Sequence, residues 1–443
     1  MVRVPGRVLV ARLHACGPAP GPARRSFWRS PIRGPWLASV LGAALLVAIS
    51  IVSITGLLSY VAYSPQLGDN GRFWGDPGLL GAFVFTWPTS PSWLYAATQG
   101  LHVTIGIATV PIVLAKLWAV IPKLFEWPPL RSPAHALERV SLALLVGGVL
   151  FEFATGILNI QIYYPWRFSF LEAHYYGAWV FLGAFVMHVA VKLPLVRAQL
   201  RQRRIIDELR VGLEATRPEH ELRVETGALT TEPPTAIATH PAAPTMSRRG
   251  LLAIVGGSSF ALLALTAGQS IGGPLRRVAL LAPHGANSGP GPNAFQVNKT
   301  AASVGIDARA VTDWTLQLSG AHKLTLTRDA LLAMAQHTHD LPIACVEGWT
   351  TTQRWTGVRL SDLARMAGST GAQVEVQSLQ RTGSFTHATL SREAVADDRS
   401  LLALRVNGAD LSLDHGFPAR IIVPALPGVH CTKWVCSLTF TEA

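Results

Sequence analysis

Five apolar stretches dominate residues 36–271 and restrict the fold more than any other feature of the chain. They are Trp36–Tyr63, Trp93–Ile121, Leu137–Ile160, Tyr175–Val196 and Leu251–Ile271. Each approaches or exceeds the roughly 20 residues a helix needs to cross a bilayer core. In lipid the backbone must satisfy its own hydrogen bonds, so such runs are expected as helices. The charged fraction agrees, at 14% with 49% hydrophobic residues, against about 25% charged in an ordinary globular chain.

The net charge of +12 is unevenly spread: residues 1–274 hold 23 Lys/Arg against 13 Asp/Glu, and residues 275–443 hold 15 against 13. The excess flanks the apolar runs, which argues for positive-inside membrane topology and against nucleic-acid binding. Arg24, Arg25, Arg29 and Arg33 precede the first run, Lys116, Lys123, Arg131 and Arg139 sit around the second connection, and Arg197, Arg201, Arg203, Arg204 and Arg210 follow the fourth run. The alternate connections, 64–92 and 161–174, hold only Arg72 and Arg167, with the belt aromatics Trp74, Trp87, Trp93, Tyr163, Tyr164 and Trp166. The N-terminus is therefore expected inside, with residues 1–35 a disordered basic cytoplasmic tail that includes Cys16. Residues 36–200 form a four-span membrane domain in the lipid bilayer, and 201–246 a cytoplasmic charged segment and Pro/Thr-rich linker.

Ionisable residues within spans are functional candidates. His102 lies about ten residues into the second run and His188 about fourteen into the fourth, both running from outside to inside, so their depths differ by only a few ångströms at about 1.5 Å per residue. That suits a haem held between two histidines. Gly106, one turn below His102, leaves room for a flat macrocycle. A cross-helix polar pair or a proton path reads the same histidines. His174 is the alternative ligand, and Glu152 a candidate for a quinone or proton site. Gln99-Gly100-Leu101-His102 and Ala173-His174-Tyr175-Tyr176-Gly177-Ala178-Trp179 resemble the four-helix cytochrome b family. That resemblance implies haem b and exchange of electrons with membrane quinone.

Ser247-Arg248-Arg249-Gly250-Leu251-Leu252 resembles a twin-arginine export signal placed internally, and a plain positive-inside anchor reads it equally well. With 247–273 as signal and fifth anchoring span, 275–443 falls outside. There, short alternating runs (314–318, 323–326, 401–406, 421–423) and helical patterns at 328–336 and 360–367 predict an α+β domain.

Cys345 opens Cys345-Val346-Glu347-Gly348-Trp349, with Trp355-Thr356-Gly357 close behind, and a thiolate is a soft ligand for a redox metal. Further on come Asn407-Gly408, Asp414-His415-Gly416-Phe417-Pro418-Ala419-Arg420, Pro424, Pro427-Gly428 and Lys433-Trp434. These two ordered motifs resemble the sulfite-oxidase superfamily of molybdopterin enzymes. The resemblance implies that Cys345 is the catalytic molybdenum thiolate and that Phe295, Asn298, Lys299, His415, Arg420 and Lys433 contact molybdopterin. Where animal sulfite oxidases carry arginines after the metal cysteine, Gly348, Trp349 and Thr350 stand here, and the chain stops about seven residues after Cys436. Both features look more like periplasmic methionine-sulfoxide reductases. Cys431 and Cys436 are expected as two buried thiols.

The expectation is a membrane all-α four-helix cytochrome b bundle with a fifth span, followed by an α+β sulfite-oxidase-type domain, in the cytoplasmic membrane of a bacterium. It reduces an oxidised-sulfur substrate with electrons from quinol. Oxidation of sulfite or another small substrate, or a haem sensor carrying a degenerate molybdopterin fold, are the alternatives.

Overall fold

In the computed structural model the described residues are 18, 20–63, 85–127, 132–161, 163–219, 237–282, 291–297, 299–381 and 386–441. Cys16, Arg72 and Trp74, and of the cofactor candidates Asn298, lie outside them. Helices α1 Pro35–Ala62, α2 Leu94–Leu124, α3 Pro133–Ile160 and α4 Phe170–Gln202 are followed by the short α5 Ile205–Leu209 and by α6 Arg248–Ile271. All but α5 are long and apolar enough to cross a membrane. The shortest of these five has 24 residues, roughly 36 Å at 1.5 Å per residue. No more than 22% of any of their most apolar windows is buried within the protein, so most of that apolar surface needs lipid rather than water. Proline opens α1 and α3, where its missing N–H is one no helix would use.

The chain divides into two units. One comprises Met1–Ser53, Ile105–Asn159 and Tyr164–Leu263. Its apolar packing joins Ile49, Val113, Val149 and Phe181, and Trp36, Leu37 and Leu41 with Ala115, Ala119 and Val255. At the end of the basic segment before α1, Arg33 is buried, its guanidinium 4.2 Å from the ring centroid of Trp118 and 5.0 Å from that of Trp28. Charged residues after α4 pack beside this segment. Arg248, with no exposed side-chain surface, bonds Glu208 Oε1 at 3.1 Å and lies 3.5 Å from Glu219 Oε1. Its guanidinium also donates to the carbonyls of Pro31, Ile32 and Arg217. Glu219 in turn accepts from the amides of Trp36 and Leu37 and caps α1. The first arginine of the twin-arginine pair is therefore consumed in the fold, whereas Arg249 is exposed.

The other unit comprises Ile54–Thr104, Ile160–Tyr163 and Ala264–Ala443. Its strands are β1 Thr315–Ser319, β2 Lys323–Thr327, β3 His337–Ala344, β4 Thr350–Arg359, β5 Gln373–Ser378, β6 His387–Leu390, β7 Leu401–Val406, β8 Ala409–Asp410, β9 Arg420–Ile422 and β10 Val435–Thr441. The helices α7 Arg328–Ala333, α8 Leu360–Met366 and α9 Arg392–Ala396 lie between them. Thr327 caps α7 and Ser391 caps α9 through their side-chain oxygens. One sheet has the order β2-β1-β10-β5-β6, the other β3-β4-β7-β8 with β9 also on β7; only the β1–β10 pairing among these ladders is parallel. Strand β7 shows why two cores form. Its side chains alternate, so Leu402 and Leu404 enter one cluster with Leu316, Val376, Ile421 and Leu438, while Leu401 and Ala403 enter a second with Leu341, Ile343, Trp355 and Cys345.

Candidate functional site

Cys345 owes its position to period-two geometry. On β3, Leu341 and Ile343 point into the second core, and Cys345, two residues on, continues that face. Strands β3 and β4 pair from His337↔Gly357 to Ala344↔Thr350, which leaves Cys345–Trp349 as the connecting loop. Its turn is closed by Gly348 N to Cys345 O and by Cys345 N to Trp349 O, each 2.9 Å. Gly348 has φ +91°, a conformation that disfavours any side chain. Glu347, 2% exposed, accepts the Trp349 indole N–H at 2.7 Å. A second loop lies beside the first, with Gly428 N donating to Ala344 O at 2.7 Å. Cys431 is buried, but in that loop rather than on a strand, and Cys436 on β10 is only partly buried; both are thiols. The expectation of two buried thiols is corrected for Cys436.

Around the cysteine the structure gathers Phe295, Lys299, His415, Arg420 and Lys433. Phe295 shares the Cys345 core and stacks on the His415 ring with centroids 3.6 Å apart. Ser412 caps the single turn Leu413–His415, and Gly416 leaves it at φ +106°. A Cβ on Gly416 would stand 3.1 Å from Lys433 Cβ and 3.3 Å from Arg420 Cβ, so the glycine lets the two cations converge. Arg420 Nη1 donates to His415 O at 3.3 Å, and its guanidinium lies 5.6 Å from the Trp355 ring centroid. Lys433 Nζ donates to Lys299 O and to Asp414 O, both at 2.8 Å.

The electrostatics are those of a cradle waiting for an anion. Among the described residues no carboxylate forms an ion pair with Arg420 or Lys433, although Arg420 is 5% exposed. Burial pulls the Arg420 guanidinium down to about 10, and burial with the Arg420 charge beside it pulls the Lys433 ammonium down to about 7. Burial, then Arg420, lowers His415 to about 3, so its imidazole is neutral. Its Nε2 sits 2.8 Å from Asn293 O, an acceptor, which fixes the proton there. Among the described residues Nδ1 is left as a buried acceptor without a partner. Arg420 Nε, Thr432 Oγ1 and both amide atoms of Gln296 are buried and unpartnered as well. Unmet donors and acceptors beside two uncompensated cations fit a phosphate-bearing, hydrogen-bonding molecule such as molybdopterin. Arg420 and Lys433 would hold its phosphate, His415, Gln296 and Thr432 its polar edges, and Cys345 the metal.

These shifts carry a pH signature. In the cofactor-free protein His415 and Lys433 hold protons less readily than in the unfolded chain. Stability should therefore rise with pH between about 3 and 6.5 through His415, and between about 7 and 10.5 through Lys433. An anion in the cradle raises the Lys433 pKa and flattens the upper window. Thermal unfolding of the cofactor-free protein from pH 7 to 9, with and without inorganic phosphate, measures this; a midpoint that falls over that range without phosphate contradicts it.

The histidines of the apolar helices are placed differently. His102 on α2 packs against Gly56 of α1, where a Cβ would stand 2.7 Å from His102 Cε1. His102 belongs to the second unit, His188 on α4 to the first. His174 Nδ1 meets Glu152 Oε2 at 2.9 Å and lies 3.3 Å from Thr155 Oγ1. A Cβ at Gly177 would collide with Glu152 Oε1. The sequence offered both residues separately but not as a pair. The signal was partial: they lie nine residues before and five residues after the 161–169 connection, within about one helical turn of the same level. Gln296 and Thr432 were also missed, since each sits beside a motif residue without being part of the motif.

Comparison with known proteins agrees with this chemistry. The oxidoreductase molybdopterin binding domain matches residues 303–443. The chain is 32% identical over 135 residues to the uncharacterized oxidoreductase YuiH of Bacillus subtilis (strain 168), covering 30% of this chain and 67% of that protein. It is 32% identical over 143 residues to mitochondrial sulfite oxidase of Rattus norvegicus, covering 26% of each. With nitrate reductase [NAD(P)H] of Hordeum vulgare it shares 37% identity over 98 residues, 20% of this chain and 11% of that one. The chain thus spans about a quarter or less of the sulfite oxidase and nitrate reductase it matches. A cysteine loop, a cradle of cations beside it and these matches together place the chain in the sulfite-oxidase superfamily of molybdopterin-binding oxidoreductases.

Proposed function

We propose that the chain is a membrane-bound oxidoreductase that reduces a sulfoxide at an extracytoplasmic molybdenum centre, with electrons drawn from membrane quinol through b-type haem. The observation that carries the reading is the pair of buried Arg420 and half-buried Lys433 beside Cys345, neither of them ion-paired to a carboxylate among the described residues. The bound cofactor would supply two-electron oxygen-atom transfer. The protein's own residues grip its phosphate, fix its orientation and keep Cys345 in a dry apolar wall. The balanced reaction takes one quinol and one sulfoxide to quinone, sulfide and water, with two electrons passing through the protein. His102 and His188 are the residues we assign to the haem. His174 is the alternative, and the Glu152 carboxylate at its Nδ1 is the kind of partner that orients a ligating imidazole. The N-terminus lies inside and the sheet-containing domain outside, in the cytoplasmic membrane of a bacterium, as the arginine-rich connections indicate.

The substrate assignment rests on the resemblance to periplasmic methionine-sulfoxide reductases. Gly348, Trp349 and Thr350 stand where animal sulfite oxidases carry arginines for an anionic substrate, which favours an uncharged sulfoxide over sulfite. The second reading, oxidation of sulfite, is favoured by the similarity to the rat enzyme. Molybdenum and iron analysis of the detergent-purified protein tests the scheme, together with turnover of sulfoxide and of sulfite. One molybdenum and one iron per chain with a reducible haem spectrum is the expected result. Iron without molybdenum would sink the enzyme reading, and sulfite turnover alone would reverse the direction of electron flow.

A further inference from the structure

The cysteine loop does not lie open on the surface of the sheet domain. Within the second unit it is seated on the Leu94 end of α2 and the Ile271 end of α6, and three successive loop carbonyls face side chains from these helices. Gln99 Nε2 donates to Val346 O at 2.6 Å. Gln269 Nε2 stands 3.5 Å from Glu347 O. Ser270 Oγ donates to Gly348 O at 2.6 Å. The seat is tight: a Cβ on Gly348 would stand 2.9 Å from Val103 Cβ, and one on Gly100 would stand 2.8 Å from Ser270 Cβ. Apolar contact surrounds it, with Ala344 and Val346 packed among Val61, Tyr63, Trp87 and Tyr95. Two further bonds pin the neighbouring loop, Trp87 Nε1 to Ala425 O at 2.7 Å and His430 Nε2 with Tyr63 O at 3.1 Å.

The helix carrying Gln99 also carries His102, one turn on and on the same face. From the thiolate of Cys345 the connection therefore runs through one peptide to Val346 O, across one short hydrogen bond to Gln99, and along one turn of α2 to His102. Resting on the haem assignment above, we propose that the Gln99–Val346 contact, braced by Ser270 on Gly348, is the route by which electrons pass between the haem on His102 and the metal on Cys345. Two electrons cross singly; with two protons they convert sulfoxide to sulfide and water, and quinol is the donor. Gln99 and Ser270 are positioning residues in this scheme: they touch neither substrate nor metal.

The test uses the full-length, haem-loaded protein in detergent, as wild type, Gln99→Leu, Ser270→Ala and the milder Gln99→Asn. Three quantities are read: haem reoxidation on mixing the prereduced protein with methionine sulfoxide, sulfoxide turnover driven by a reduced viologen, and amide exchange of residues 345–350. Haem reoxidation should slow severalfold in the Gln99 variants and less in Ser270→Ala, viologen-driven turnover should stay near wild type, and loop exchange should rise. Unchanged haem reoxidation despite faster loop exchange would reduce the contact to a structural one. An equal loss in both assays would show that the seat shapes the metal site instead, and also overturns the route. A protein without haem absorbance would overturn the haem assignment itself, which the spectrum reports before any variant is made.

Discussion

Cys345→Ser is expected to abolish turnover in both directions, sulfoxide reduction and sulfite oxidation, while leaving the protein folded. A serine hydroxyl at this position is not an anionic, polarisable donor, so the metal loses its only candidate protein ligand among the described residues near the cradle. Outer-shell changes at metal sites typically lower activity about 10–100-fold, and loss of the ligand itself should exceed that. The structural cost is small by comparison. The backbone bonds at Cys345 do not depend on the side chain, and a hydroxyl in the apolar wall of Leu341, Ile343 and Trp355 costs on the order of 1–3 kcal/mol if unpaired. Molybdenum content, pterin content and thermal midpoint separate the two effects. Pterin should persist, because Arg420, Lys433 and His415 are untouched. A loss of activity no larger than an outer-shell change would remove Cys345 from the metal.

Arg420→Met should act with opposite signs on the empty and the loaded protein. Arg420 is buried, meets one carbonyl and one indole ring, and has no carboxylate partner among the described residues. A buried charge without a partner is costly, and an apolar side chain of similar volume removes that cost. Methionine can pack on Trp355 in the same space. The cofactor-free variant is therefore expected to unfold at a higher temperature than cofactor-free wild type. Cofactor retention should fail, since a charge-assisted bond worth about 1.5–3 kcal/mol is lost, roughly 10- to 150-fold in affinity. Calorimetry of both cofactor-free proteins and molybdenum content after purification decide it. Full molybdenum retention, or a lower midpoint for the variant, would mean that Arg420 serves the fold and not the cofactor.

Much of this was legible in the chain. The five long helices follow from uninterrupted apolar runs, and all five expected runs lie on helices, with α4 beginning at Phe170 rather than Tyr175. Strands β1, β2, β7 and β9 and helices α7 and α8 fall on the runs that period two and period 3.6 marked. Strand β3 was not legible. His337-Thr338-His339-Asp340-Leu341-Pro342 is polar at its start and interrupted by proline, and only pairing with β4 makes it a strand. The second motif gave His415, Arg420 and Lys433 by type and order, but nothing in that order says that Gly416 lets two cations converge or that, among the described residues, no carboxylate is ion-paired to them.

Hydropathy and turn residues are properties of neighbours along the chain, so the sequence by itself determined the five long apolar helices and the α+β character of residues 275–443, while the resemblance of its motifs to a known family singled out Cys345 as the metal thiolate candidate. Only the tertiary structure decided what each polar group meets. Gln99 reaches Val346 across 247 positions, and Arg248 reaches Pro31 across 217. Glu152 finds His174 only when two helices lie side by side. Partners of this kind depend on which surfaces are buried against each other, and burial is what turns one ordinary arginine, Arg420, into an anion site and another, Arg248, into a buried clamp.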